Sequence, residues 1–161
     1  MTARYRSASM SYYREPDWFT KNVFNGAVRG LTRLGVSVWG SRILRVKGRK
    51  TGEWRSHPVN LLTFEGRRYL VAPRGLTQWV RNIRAAGGGE LVLGSHAERF
   101  AAVEVADAEK IPILRGYLKR WKFEVGMFFD GVSADSSESE LRRVAPDHPV
   151  FEVRPAGQSG S

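Results

Sequence analysis

Residues 41–72, SRILRVKGRKTGEWRSHPVNLLTFEGRRYLVA, contain the pattern that decides the fold. An apolar run at 43–46 leads into a glycine-rich turn, and a second apolar run follows at 58–64. A Glu-Gly turn at 65–66 then separates this run from a third one at 69–72. Short β-rich runs separated by glycine-containing turns are typical of antiparallel hairpins. The stretch therefore predicts a β-meander.

Helical and strand patterns follow this meander along the chain. Trp79, Val80 and Ile83 have helical spacing, and the three glycines at 87–89 end that helix. Further helices are predicted at about 17–34, 107–122 and 136–144, and further strands at about 90–94, 99–105 and 151–153. Because βαβ alternation is absent, we expect an α+β fold that is mainly antiparallel β, namely a split β-barrel with peripheral helices.

One domain accounts for the chain of 161 residues, since single hydrophobic cores commonly serve roughly 100 to 200 residues. We expect a single split β-barrel domain at residues 1–154 and a disordered tail at 155–161. The domain includes an N-terminal amphipathic helix at about 17–34, whose polar face is basic. This helix either covers the core with a solvent-exposed basic face or contacts a membrane surface.

The sequence lacks the residues for several kinds of site. Cysteine is absent, which excludes disulfides, thiolate metal sites and cysteine nucleophiles. The histidines, His57, His96 and His148, lack the spacing that places two on one helical face, so we expect no metal site. No apolar run reaches signal-peptide or membrane-span length. We therefore expect a cytoplasmic protein, with the helix at 17–34 as a candidate contact with the inner face of the cell membrane.

The positive charge is concentrated in the first third of the chain. Residues 1–55 contain 12 Lys and Arg against 3 Asp and Glu, a balance of +9, whereas residues 56–161 have a balance of +1. Such asymmetry indicates an anionic partner, which could be a nucleic acid, lipid headgroups or a polyanionic small molecule. No nucleic-acid-binding module is present, so we do not expect a nucleic-acid partner.

Much of this charge lies in one turn. Lys47, Arg49, Lys50 and Arg55 lie within nine residues, with two glycines among them that expose backbone N–H groups. The turn has two interpretations: a solvated charged hairpin, or a binding site for phosphate or carboxylate. It is not a P-loop, because the required spacing is missing and a strand follows instead of a helix.

A second turn, Ala-Pro-Arg-Gly at 72–75, leads into a helix with Trp79 and Asn82. The order GRKTGEWRSHPVNLLTFEGRRYLVAPRG, then TQWVRNIRAAGGGEL, resembles the deazaflavin-dependent nitroreductase family, F420-dependent oxidoreductases with a split β-barrel similar to that of FMN-binding proteins. The resemblance covers about residues 18–130. It depends on the combined order of the GRKTG turn, the proline after the arginine, the Trp-x-x-Asn helix and the glycine-rich stop.

The resemblance implies a reductase that transfers a hydride from the reduced deazaflavin coenzyme F420 to a small electrophile. The electrophile would be a quinone, a nitro compound or an activated C=C bond, and FMN is the alternative cofactor. The basic turn would bind the coenzyme phosphate through Arg49, Lys50, Thr51 and Arg55. The ring would be flanked by two further segments and the following helix, namely by Pro58, Val59, Asn60, Ala72, Pro73, Arg74, Gly75, Trp79 and Asn82.

The substrate side of the site is less defined by the sequence. His57 precedes Pro58 beside the expected ring, so it is the candidate proton donor, the alternatives being a backbone partner or part of the anion site. The second turn lacks the extended segment of the nitroimidazole-reducing members, and the C-terminal helix lacks their tyrosine cluster. Aromatic side chains that could wall a substrate pocket, or else pack in the core, are Tyr12, Tyr13, Trp18, Tyr117, Trp121 and Phe128.

A different class of function also fits the sequence. A non-catalytic protein could hold deazaflavin, FMN or haem in the same pocket without turnover. The sequence leaves open whether the protein is a monomer or a homodimer.

Overall fold

The computed structural model describes residues 40–157, which form a six-stranded antiparallel β-barrel with three α-helices. The strands are β1 (Ser41–Lys47), β2 (Trp54–Phe64), β3 (Arg67–Val71), β4 (Gly88–Leu93), β5 (His96–Glu104) and β6 (Val150–Pro155). The helices are α1 (Gln78–Ala86), α2 (Ile111–Val125) and α3 (Glu138–Val144). The strand order is β1-β2-β3-β6-β5-β4, and pairing of β1 with β4 closes the barrel.

The expected α+β fold with antiparallel strands and peripheral helices is confirmed. The helix predicted at 17–34, and with it Tyr12, Tyr13 and Trp18, lies outside the described residues. Among residues 40–157, no helix is long and apolar enough to cross a membrane.

Several boundaries differ from the predicted ones. β2 begins at Trp54, four residues early, because its first half pairs with β1 down to the basic turn. The turn between β4 and β5 is shorter than predicted, since His96 already pairs with Leu93. β6 extends to Pro155, which pairs with Phe100, so the strand includes the first residue of the predicted tail.

The predicted helix at 107–122 begins later than its sequence pattern indicates. Residues 107–109 form a separate 3-10 turn, and α2 begins at Ile111 with Pro112 in its first turn, where the missing N–H is not needed. Asp107 therefore lies outside α2. Its carboxylate instead lies 2.8 Å from the Nζ of Lys110, a buried lysine that also donates to the carbonyl of Ala145.

Two apolar clusters form the core. One fills the barrel and includes Leu44, Leu70 and Phe151, with Val80 and Ile83 of α1 packed against it. The other joins the outside of the barrel to the later helices, with members that include Tyr117, Trp121, Phe129 and Leu141. The first cluster fixes α1 beside β1 and β4.

The barrel is incompletely paired along β2. Residues 54–60 of this strand pair with β1, and only Leu61–Phe64 pair with β3. In the described part of the chain, no strand covers the other side of the first half of β2. Pro58 lies in that half, where a residue without an N–H is tolerated because a ladder hydrogen bond on one side is not required. The uncovered backbone faces the turn at 72–77 and α1, and this is where the cavities lie.

The two glycines at the start of β4 allow the strands at the barrel closure to approach closely. A Cβ on Gly88 would lie 2.2 Å from the carbonyl oxygen of Phe100, and one on Gly89 would lie 2.4 Å from that of Arg45. Both contacts are with backbone atoms, which cannot move aside without shifting a strand. These positions therefore exclude any side chain.

Gly88→Ala should lower the free energy of unfolding by about 1 to 3 kcal/mol, the usual cost of overpacking a core. Gly126→Ala is the matched control, because that glycine has right-handed helical φ and ψ and open space around its Cβ position. Urea denaturation of the two variants and the unaltered protein measures the difference. Equal stability of the Gly88→Ala variant and the control would contradict the close approach of β4 and β5.

Candidate active site

A cavity of about 310 Å³ lies between the basic turn, β2 and α1. Three cations of the turn, Arg49, Lys50 and Arg55, line it together with Thr51. The apolar side chains of Leu44 and Val46 and the rings of His57 and Trp79 also line it, and the remaining lining residues are Gly48, Ser56, Gln78 and Asn82. We call this the large cavity. It combines an anion-binding set with a surface suited to a flat ring.

A second cavity of about 20 Å³ shares His57 and Trp79 with the first. We call it the small cavity. The rest of it is lined by the buried part of β2, by the end of β3 with the turn that follows it, and by one residue of α2. These residues are Pro58, Val59, Asn60, Val71, Ala72, Pro73, Arg74, Thr77 and Tyr117.

The two cavities bring together thirteen of the fourteen residues that the sequence indicated. The exception is Gly75, which lines neither. Its φ of +83° suits glycine, and a Cβ there would lie 3.2 Å from the carbonyl oxygen of Asp147. Gly75 thus shapes the turn at 72–77. Lys47, the cation of the basic turn that was not assigned to the phosphate, lines neither cavity and lies 5.8 Å from the centroid of the Trp54 ring.

Asn82 on α1 holds the basic turn in place. Its buried side-chain oxygen accepts hydrogen bonds from the backbone N–H of Arg49 at 3.1 Å and from the Arg49 guanidinium at 2.9 Å. Gln78, one helical turn earlier, accepts from the same guanidinium nitrogen at 2.9 Å. The guanidinium has five N–H groups, so it can bind an anion while keeping these contacts. Asn82 and Gln78 therefore orient the charge of Arg49 at the large cavity.

His57 lies where the two cavities meet. Burial, and next the positive charge of Arg74, lower the pKa of His57 to about 4. Its ring centroid lies 6.3 Å from that of Trp79, and within residues 40–157 neither ring nitrogen has a hydrogen-bond partner. At neutral pH the imidazole is uncharged and offers one N–H donor and one acceptor. This state favours a hydrogen-bonding role over delivery of a proton from an imidazolium.

His148 supports the turn at 72–77 from behind. The ring stacks on Phe129 with centroids 3.9 Å apart, and Nδ1 lies 3.2 Å from the carbonyl oxygen of Ala72. Burial lowers the pKa of His148, while the hydrogen bond to Ala72 opposes that shift. The N–H of Ala72 donates to the carbonyl of Pro149 at 2.9 Å. His148 is thus a packed structural residue.

Three of the predicted pocket aromatics lie in the described part of the chain, and they have different positions. Tyr117 lines the small cavity. Trp121 is 2% exposed and packs against Tyr117 with ring centroids 5.1 Å apart, so it is a core residue. Phe128 is half-buried, and the Arg74 guanidinium lies 5.3 Å from its ring centroid.

Sequence reasoning did not identify Gln78 and Thr77. Gln78 lies four residues before Asn82, and this spacing places both side chains on one helical face. The sequence pattern was therefore sufficient to identify Gln78 as a further site residue of this helix. Thr77 directly precedes α1, where a threonine is typical of a helix N-cap. This pattern does not indicate a position at a cavity. Among residues 40–157, no group of three His, Asp or Glu side chains could hold a metal ion.

Residues 12–122 match the family model of F420H2-dependent quinone reductases, which is more than half of the chain. The chain belongs to this family. The family model describes quinone reductases that depend on reduced F420. No curated protein sequence matches the chain.

Solved structures agree with the fold. An F420-H2 dependent reductase superposes with a TM-score of 0.53 at 18% identity, over 71% of this chain and 94% of that one. A protein of unknown function from Agrobacterium tumefaciens gives a TM-score of 0.55 at 15% identity, over 85% of this chain. This chain spans 57% of the length of that protein. Identities this low show the shared fold alone.

The pKa of His57 has a measurable consequence for stability. In the unfolded chain a histidine has its ordinary pKa of 6.5, against about 4 when folded, so the unfolded chain binds more protons between these values. The stabilisation from neutral His57 is complete above pH 6.5 and is lost as the pH falls towards 4. We expect the unaltered protein to lose about 2 to 3 kcal/mol more stability between pH 7 and pH 4.5 than His57→Asn.

Urea denaturation at both pH values measures this difference. His96→Asn is the matched control, because His96 is exposed at the start of β5. Equal pH dependence of the His57→Asn variant and the unaltered protein would contradict the neutral imidazole.

Proposed function

We propose that this protein transfers a hydride from reduced F420 to a small electrophile of the quinone class, with the coenzyme bound across the two cavities. Nitro compounds and activated C=C bonds are further candidate acceptors. The proposal depends above all on one observation: the cations of the basic turn line the same cavity as Trp79 and His57. The family match supports the coenzyme, and the site residues and the acceptor are our assignments.

The cations and the aromatic ring of Trp79 in the large cavity suit a ligand that has anionic groups and a flat ring. F420 contains a phosphate and a glutamate tail, and guanidinium groups bind phosphate and carboxylate bidentately. Arg49 is half-buried and held by Asn82 and Gln78, whereas Lys50 and Arg55 are exposed and can adjust to the anion. We assign the phosphate to these three cations and to Thr51.

We assign the ring to the uncovered half of β2 and the turn at 72–74. Pro58, Val59 and Asn60 are buried and line the small cavity, and Trp79 lines both cavities. When bound, the reduced deazaflavin supplies the hydride, so the protein requires no nucleophile of its own. Apolar walls around the ring exclude water and strengthen the electrostatic interactions inside.

Charge on the acceptor can be stabilised by two side chains. Reduction of a quinone places negative charge on its oxygen atom as the hydride arrives. Arg74 is close enough to His57 to lower the pKa of that imidazole, so its positive charge acts within the same region. His57, neutral at pH 7, can donate a hydrogen bond to the same oxygen. Preorganised donors of this kind lower the barrier where charge develops.

Arg49→Ala/Lys50→Ala should weaken F420 binding by a few kcal/mol, since hydrogen bonds to charged groups contribute roughly 1.5 to 3 kcal/mol each. Fluorescence titration with F420 measures the affinity. The matched control is Arg142→Ala/Arg143→Ala, which removes two cations from α3 that line neither cavity. Equal weakening in both double variants would show a non-specific charge effect and contradict the phosphate assignment.

Turnover is tested by mixing the protein with reduced F420 and menadione, then with a nitroaromatic compound. We expect oxidation of the coenzyme with menadione, followed by its absorbance. A protein that binds F420 but gives no turnover with any acceptor would be a non-catalytic binder, which contradicts the proposed reaction while leaving the binding site intact.

A further inference from the structure

Thr77 occupies the N-cap position of α1 without capping the helix. Its φ of −89° and ψ of 178° are those of an N-cap residue, but its side chain accepts no hydrogen bond from the first turn. A capping threonine normally stabilises a helix by about 1 kcal/mol. Here the hydroxyl oxygen is buried and has no hydrogen-bond partner within residues 40–157. The helix therefore lacks a stabilising contact that its sequence could supply.

A buried hydroxyl without a partner is unfavourable, because it has lost its hydrogen bonds to water. Native proteins contain few such groups, and functional sites are one place where they occur. Thr77 lines the small cavity beside Ala72, Arg74 and Trp79. Thr77, whose hydroxyl oxygen is unsatisfied, thus lies at the region assigned to the coenzyme ring.

The size of the small cavity limits what can satisfy this hydroxyl. Its volume of about 20 Å³ is close to the space that one water molecule or one polar ligand atom needs. A fused ring system is much larger and cannot enter. Only an atom at the edge of a ring, whose body lies in the large cavity and against β2, could reach Thr77.

We propose that the Thr77 hydroxyl forms a hydrogen bond with a polar atom at the edge of the bound deazaflavin ring. This assignment rests on the proposed function, since it requires the coenzyme to lie across the two cavities. The basic turn attracts the anionic part of the coenzyme, whereas Thr77 fixes the orientation of the ring. A hydroxyl can donate or accept, so it suits either a carbonyl oxygen or a ring nitrogen.

Thr77→Val tests the assignment, because valine keeps the shape of threonine and removes only the hydroxyl. We expect F420 affinity to fall roughly tenfold, the effect of losing one ligand hydrogen bond. We also expect the melting temperature of the coenzyme-free protein to stay the same or rise, since an unsatisfied buried polar group has been removed. Thr77→Ser should retain the affinity.

Thr63→Val is the matched control, because Thr63 is exposed on β2 and lines neither cavity. Normal affinity in the Thr77→Val variant would overturn the assignment. A lower melting temperature with normal affinity would identify a water molecule or the helix as the partner of the hydroxyl, which also overturns it. Failure of the unaltered protein to bind F420 would instead contradict the proposed function, and with it this inference.

Discussion

The site depends on the way β2 divides its backbone pairing between two neighbours. Its first half pairs with β1 and its second half with β3, so the first half has one uncovered side in the described part of the chain. Backbone hydrogen bonds must be satisfied somewhere, which makes such an uncovered side suited to a ligand. Pro58 in this half reduces the number of N–H groups that need a partner. The opening in the barrel therefore exists because the pairing of β2 with β3 stops at Leu61.

The location of the positive charge in the first third of the chain matters for anion binding as much as its total amount. The turn between β1 and β2 sets the basic residues at the mouth of the opening, and α1 fixes one of them through the amide oxygens of Asn82 and Gln78. A flexible cation loses conformational entropy when it binds an anion, and prior hydrogen bonding reduces that loss. Arg49 is thus preorganised, while Lys50 and Arg55 remain exposed to solvent.

The sequence predicts the antiparallel barrel and most residues of the candidate site because these depend on local signals. Glycine turns, β-rich runs and the Trp-x-x-Asn helix are each visible within about ten residues. The pairing of β6 between β3 and β5, the core position of Trp121 and the missing cap of Thr77 depend on contacts between distant segments. No local pattern distinguishes an aromatic residue of the core from one of a cavity wall, nor a capping hydroxyl from one without a partner.

β6 has a consequence for how the site is assembled during synthesis. The residues that line the cavities are, apart from Tyr117, complete in the chain by Asn82. Ala72, at the start of the turn at 72–77, is however held by hydrogen bonds with His148 and Pro149, and β6 is the strand that joins β3 to β5. A ribosome-bound chain that has not yet released this last described strand has nearly every segment that lines the cavities but no closed barrel. The two cavities can therefore be complete only after nearly the whole described chain has emerged.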